Sequence, residues 1–137
     1  MFKLVRRDGA RENSGHFEAL GHNGNAYNLG QVVTLDGGKA MHWSGPTSTA
    51  APYGIVARRA ENTDKEVIVL RITNDMEFET VIATGTTALV PGMAVPIHTG
   101  GTSIQASALG SSAKGVIVAD PLGATAPGDK IIVRFNV

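Results

Sequence analysis

From residue 29 onward the apolar positions recur with a period of two, which predicts strands rather than helices. Val33 and Leu35 face one way with Val32 and Thr34 opposite, and Val95 and Ile97 repeat this with Ala94 and Pro96 opposite. Ile68, Leu70 and Ile72 share a face, as do Ile131, Val133 and Phe135, which leaves Arg71 and Arg134 on the other side. Those six apolar side chains form the predicted core layer, each contributing roughly 1.5–3 kcal/mol before entropy is subtracted. Residues 75–81 alternate as well, with Met76, Phe78 and Thr80 against Glu77, Glu79 and Val81, and predict a half-exposed strand whose glutamates meet water. Helical signals are confined to residues 47–51 and 103–112, room for a single turn each among Ser, Gly and Pro.

The pattern is also duplicated. Gly30-Gln31-Val32-Val33-Thr34-Leu35-Asp36-Gly37-Gly38 is echoed by Gly92-Met93-Ala94-Val95-Pro96-Ile97-His98-Thr99-Gly100-Gly101. Tyr53-Gly54-Ile55-Val56-Ala57 returns as Lys114-Gly115-Val116-Ile117-Val118-Ala119, and each copy closes on an apolar strand, ending at Arg71-Ile72 and Arg134-Phe135. The copies span residues 29–72 and 91–135, with matching glycines and arginines 61 to 63 positions apart. A unit of about 45 residues is marginal by itself, so the two are expected to share one barrel. The predicted fold is all-β: a compact β-barrel or sandwich built from two similar strand units, residues 29–137, preceded by an extended N-terminal arm, residues 1–28.

That arm differs in composition. Arg6, Arg7, Asp8, Arg11, Glu12 and four asparagines dominate it, with Phe2, Leu4, Phe17, Leu20 and Tyr27 scattered between and Gly15, Gly21 and Gly24 breaking any helical period. Asn23-Gly24 suits a tight turn. The interspersed apolar residues favour an arm that orders on a partner over a free tail.

Charge narrows the function classes. Twelve basic residues balance twelve acidic ones, so the chain lacks the basic surface that a general nucleic-acid binder needs to displace counterions. With no cysteine, disulfides and thiolate metal sites are excluded. No apolar run approaches the roughly 20 residues that span a bilayer, and no apolar segment follows the basic amino end, so a soluble protein made in the cytoplasm, with no membrane partner, is expected.

No reactive constellation stands out. His16 and His22 are six residues apart without a third ligand of fixed spacing, so no metal site and no cofactor is expected. Glu77 and Glu79 share a strand face but nothing predicts the cleft a glycosidase builds around paired carboxylates. Gly-x-Ser-x-Gly, phosphate-loop and His-Glu-x-x-His motifs are all missing, which points to a non-enzymatic role. Trp43, the sole tryptophan, sits beside His42 either as an interface anchor or as a lid on the core. Arg58-Arg59 is either a solvated strand end or a contact for acidic groups.

Residues 29–137 resemble the small capsid decoration, or cement, proteins of tailed bacteriophages. The resemblance is carried by Gly30-Gln-Val-Val-Thr-Leu, Ala51-Pro-Tyr-Gly-Ile-Val-Ala, Val90-Pro-Gly-Met-Ala-Val-Pro-Ile, Ala113-Lys-Gly-Val-Ile-Val-Ala and Ala126-Pro-Gly-Asp-Lys-Ile-Ile-Val-Arg-Phe, in that order. It implies a virion structural protein, often a homotrimer, that binds the outer capsid surface and staples neighbouring major capsid protein subunits after assembly in the host cytoplasm. The expected contact residues are Phe2, Leu4, Arg6, Arg7, Phe17, Tyr27, Trp43, Arg58 and Arg59, with the arm adding a strand to an exposed coat edge. Two other readings stay open: a tail, baseplate or head-fibre module, and a carbohydrate- or small-ligand-binding barrel that stacks sugars on Trp43, Tyr53 and Tyr27.

Overall fold

A computed structural model describes residues 1–7, 16–107 and 116–135, and among these the chain is all-β, with no helix. The strands are β1 (Lys3–Arg7), β2 (Phe17–Gly21), β3 (Val32–Asp36), β4 (Lys39–His42), β5 (Gly54–Val56), β6 (Glu66–Arg71), β7 (Met76–Thr84), β8 (Ile104–Gln105), β9 (Val116–Asp120) and β10 (Lys130–Phe135). The first unit closes a small barrel in the order β2-β4-β3-β5-β6. The second forms a sheet in the order β1-β7-β10-β9, with β8 added to β7 in parallel.

Strand pairing repeats the unit more fully than the sequence echo does. Residues 17–21 of β2 lie opposite 70–66 of β6, and residues 77–81 of β7 lie opposite 134–130 of β10 in the same register. Gly54, Ile55 and Val56 face Arg71, Leu70 and Val69, while Val116, Ile117 and Val118 face Phe135, Arg134 and Val133. Val32 pairs with Ile55 as Ala94 bridges to Ile117. The turns into these strands match to the atom. Gly30 and Gly92, both at positive φ, donate to Val56 and Val118 carbonyls at 2.8 Å, and the amides of Val56 and Val118 donate back to Gln31 and Met93 at 2.9 Å. The repeat therefore begins at β2 and β7, upstream of the boundaries the sequence indicates. What the second copy lacks is a full strand at residues 94–97, which is held by single bridges from Ala94 to Ile117 and from Ile97 to Ile104.

Two expectations are corrected here. Aligning the copies on Arg71 and Arg134 slips the last strand by one residue, because Arg134 is the structural counterpart of Leu70. A one-residue slip in a strand exchanges its faces. Val67 and Val69, not Ile68, are the counterparts of Ile131 and Val133, and both are fully buried. The single shared barrel is also replaced. The first unit closes its own barrel around Leu20, Tyr27, Val33, Ala40, Val56, Val67 and Val69. The alternate residues Val32, Ile55 and Leu70 join a larger core with Phe78, Ile104, Val133 and Phe135 of the second unit. Both faces of β3, β5 and β6 are thus used, one for the lumen and one for the partner unit, which is how two marginal units stabilise one another.

The described part of residues 1–28 is woven into both units instead of extending as an arm. β1 pairs antiparallel with β7, setting Lys3 opposite Glu79 and Leu4 opposite Phe78. β2 is a stave of the barrel. The Phe2 amide donates to the Gly30 carbonyl at 2.9 Å, and its ring lies 5.4 Å from that of Phe135. Gly30 is required there. At φ 77° with the Met1 side chain across it, a Cβ would come within 1.9 Å of Met1 Cγ. The alternation expected around Phe78 is present, with Met76, Phe78 and Thr80 buried and Glu77 and Glu79 half-buried. The Lys114-Gly115 echo lies outside the described residues.

Candidate functional site

Two clefts flank β2, one on each face of the strand. Side chains of odd and even residues diverge in a strand, so Phe17 lines one cleft while His16 and Glu18 line the other.

The polar cleft, about 670 Å³, is lined by His16, Glu18, Tyr53, Arg71, Thr73 and Asn74 with Ala51, Pro52 and Ile72. Leu20, two residues along the same face as Glu18, points into the lumen, so this cleft sits at one mouth of the barrel. Its centre is a fixed triad. The Tyr53 hydroxyl donates to Glu18 Oε2 at 2.5 Å, Arg71 Nη1 donates to Glu18 Oε1 at 3.3 Å, and the Arg71 guanidinium stacks 4.5 Å over the Tyr53 ring. The Tyr53 hydrogen bond, and after it Arg71, hold the Glu18 carboxyl below its ordinary range. The same hydrogen bond raises the Tyr53 phenol. Since the folded-state value of Glu18 is depressed, its contribution is present above the ordinary glutamate range and is lost as pH falls through the folded-state value. Glu18→Gln should therefore lower Tm at neutral pH, with the gap to the parent closing as pH falls below the ordinary glutamate range. A gap that stayed constant down to acid pH would contradict this role.

The second cleft is an apolar groove of about 320 Å³ at the seam of the two units. Its rim is Met1, Leu4, Phe17 and Leu29, and its floor includes Ile55, Leu70 and Phe78. The rim residues are four of the eight large apolar side chains exposed in the described chain, and Phe17, at 63% exposure, is the most open of them. Scattered exposed apolar residues are ordinary; here four of the eight gather around one groove.

The expected contact residues divide accordingly. Phe17 and Leu4 are on the groove rim. Phe2, Tyr27 and Trp43 belong to the interior and offer no face to a partner, which corrects their assignment. Tyr27 is fully buried in the barrel core, its hydroxyl within 2.7 Å of Asn23 Oδ1 and 2.8 Å of the Ala40 carbonyl. Trp43 joins the units by donating its indole N–H to the Ile97 carbonyl at 3.1 Å, so the lid alternative holds. Arg58 and Arg59 are exposed, Arg59 paired with Glu61 at 3.0 Å. Arg6 and Arg7 are in β1, in register with Glu77 and Met76. His42 donates its Nε2–H to the Ala26 carbonyl at 2.9 Å, and His98 Nδ1 bonds Gln105 Oε1 at 2.8 Å. Among the described residues no three His, Asp or Glu side chains converge as metal ligands.

The Glu18–Tyr53–Arg71 triad has no local sequence signal, because Tyr53 and Arg71 lie 35 and 53 positions from Glu18. Comparison with protein-family models, curated proteins and solved structures found no match.

Proposed function

We propose that the chain is a non-enzymatic structural protein of a tailed-phage virion that binds the outer face of the head and stabilises contacts between major capsid protein subunits. The observation that carries this reading is the apolar groove with its exposed rim, Met1, Leu4, Phe17 and Leu29, on a rigid body of two interlocked β units. Such a face suits a protein partner, while the neutral net charge gives it no attraction for nucleic acid. The ordered strand motifs that resemble those of cement proteins favour a coat subunit as that partner. Sugar stacking loses support, since Tyr27 and Trp43 are buried and one face of Tyr53 is covered by Arg71.

Stabilisation follows from linkage: a protein that binds the expanded lattice and not the immature or dissociated one shifts the balance toward the expanded head. Assembly as a homotrimer would add effective concentration, so that weak individual contacts suffice. The test is co-sedimentation with expanded and immature heads of the presumed phage. Saturable binding to expanded heads at a fixed ratio to coat subunits is the expected outcome. Equal affinity for immature heads would remove the mechanism, and absence of binding to either would remove the function.

A further inference from the structure

Among the described residues β2 has an unpaired edge over Phe17–Ala19, and the other unit indicates what covers such an edge. Backbone groups of a strand alternate in direction. The His16 carbonyl accepts the Arg71 amide on the β6 side, while the Gly21 amide donates to the Gly38 carbonyl on the β4 side. Phe17 and Ala19 share the parity of Gly21, so their N–H and C=O groups point away from β6. β4 reaches β2 only at Gly21, and among the described residues nothing pairs with the outward groups of Phe17 and Ala19. Both residues are exposed.

In the second unit the equivalent edge is filled. By the shared register, residues 17–19 correspond to 77–79, and β1 lies against that stretch of β7 with Lys3, Leu4 and Arg6 opposite Glu79, Phe78 and Glu77. Among the described residues there is one β1 and two such edges.

We infer that the β2 edge at Phe17–Ala19 is a docking site for an extended segment of another protein, which adds a strand to the barrel there as β1 does to β7. The chemistry of that segment follows from the two faces of β2. Residues opposite Phe17 and Ala19 fall on the side of the apolar groove and are apolar, preferably β-branched. The residue opposite Glu18 faces the polar cleft and is polar or basic. A second copy presenting the same edge is a poor occupant, since two-fold pairing centred on Glu18 sets two carboxylates directly across from one another. The inference goes beyond the preceding section, because it fixes the edge and the strand chemistry without requiring that the partner be a coat subunit.

The test is amide-resolved NMR of the full chain titrated with the peptide acetyl-Lys-Val-Thr-Val-Thr-Val-Lys-amide, alongside the same peptide with glutamate in place of lysine. Saturable shifts centred on residues 16–20, with slowed exchange of the Phe17 and Ala19 amides, are expected. The acidic peptide should bind several-fold more weakly. Ala19→Pro removes an outward N–H at a position where an edge strand tolerates proline, so it should fold with at most a small loss of Tm and abolish the shifts. Phe17→Lys should weaken binding at least tenfold. Phe17 and Ala19 amides already protected in the free protein would overturn the inference. So would the absence of shifts at saturating peptide, or Ala19→Pro folding normally and binding undiminished. Peptide docking without head binding would leave this site standing and remove the cement reading; the reverse result would do the opposite.

Discussion

Phe2→Ala is expected to cost about 3–5 kcal/mol of unfolding free energy, a large share of what a domain of this size has in reserve. Phe2 is only 2% exposed, in the core between the two units, packed on Phe135, and its backbone is tied to Gly30. Removing the ring leaves a cavity beside Phe78 and Phe135, which also meet edge to face at 5.3 Å. Equilibrium urea unfolding measures the loss. A cost below about 1 kcal/mol, as for a surface substitution, would show that the amino end is peripheral after all. The same reasoning changes what a truncation means. Deleting residues 1–28 takes away β1 and a stave of the closed barrel, so it should abolish folding and cannot report on binding.

Trp43→Ala carries the second large effect, again about 3–5 kcal/mol. Trp43 follows β4 in the first unit and donates to Ile97 in the second, so it joins the halves through both packing and a buried hydrogen bond. Trp43→Phe separates the two terms: it keeps most of the ring volume and leaves the Ile97 carbonyl unpartnered, a loss of about 1–3 kcal/mol. Both variants should unfold in one transition if the shared core couples the units. Two resolved transitions in Trp43→Ala would mean that the barrel and the second sheet are stable separately.

Fold class was readable from the chain because strand periodicity and paired glycines are local signals. Gly30 and Gly92 mark the same turn in each unit, and Val32-Val33 and Ala94-Val95 the segment that follows, a strand in the first copy and a single bridge in the second. Register was harder. Arginine near the end of each closing strand invites alignment, but Lys130 follows Val118 by two residues more than Glu66 follows Val56, so Arg134 falls where Leu70 does and the faces exchange. The start of the repeat was hidden for a related reason. Phe17-Glu18 and Phe78-Glu79 look alike, yet the ladders set Glu18, not Phe17, level with Phe78. One copy turns its phenylalanine inward and the other turns it to solvent.

The amino-terminal segment was misjudged because its partners are remote. Lys3 pairs with Glu79 and Glu18 with Val69, and no short-range pattern announces contacts at that separation. Its sparse apolar residues have two different destinations: Phe2 and Leu20 in cores, Leu4 and Phe17 on the groove rim. Of the expected contacts, aromatic character alone selected Tyr27 and Trp43, and aromatic rings are as useful to a core as to an interface. Exposure separates them, and exposure follows from tertiary packing.

The most direct measurement is co-sedimentation of the parent protein and Phe17→Lys with expanded heads, read as bound protein per coat subunit. Phe17 is exposed, so the substitution should leave Tm unchanged. Saturable binding by the parent, weakened at least tenfold in Phe17→Lys, is the result predicted if the groove face engages the lattice. Binding by both proteins with equal affinity, or by neither, would contradict it.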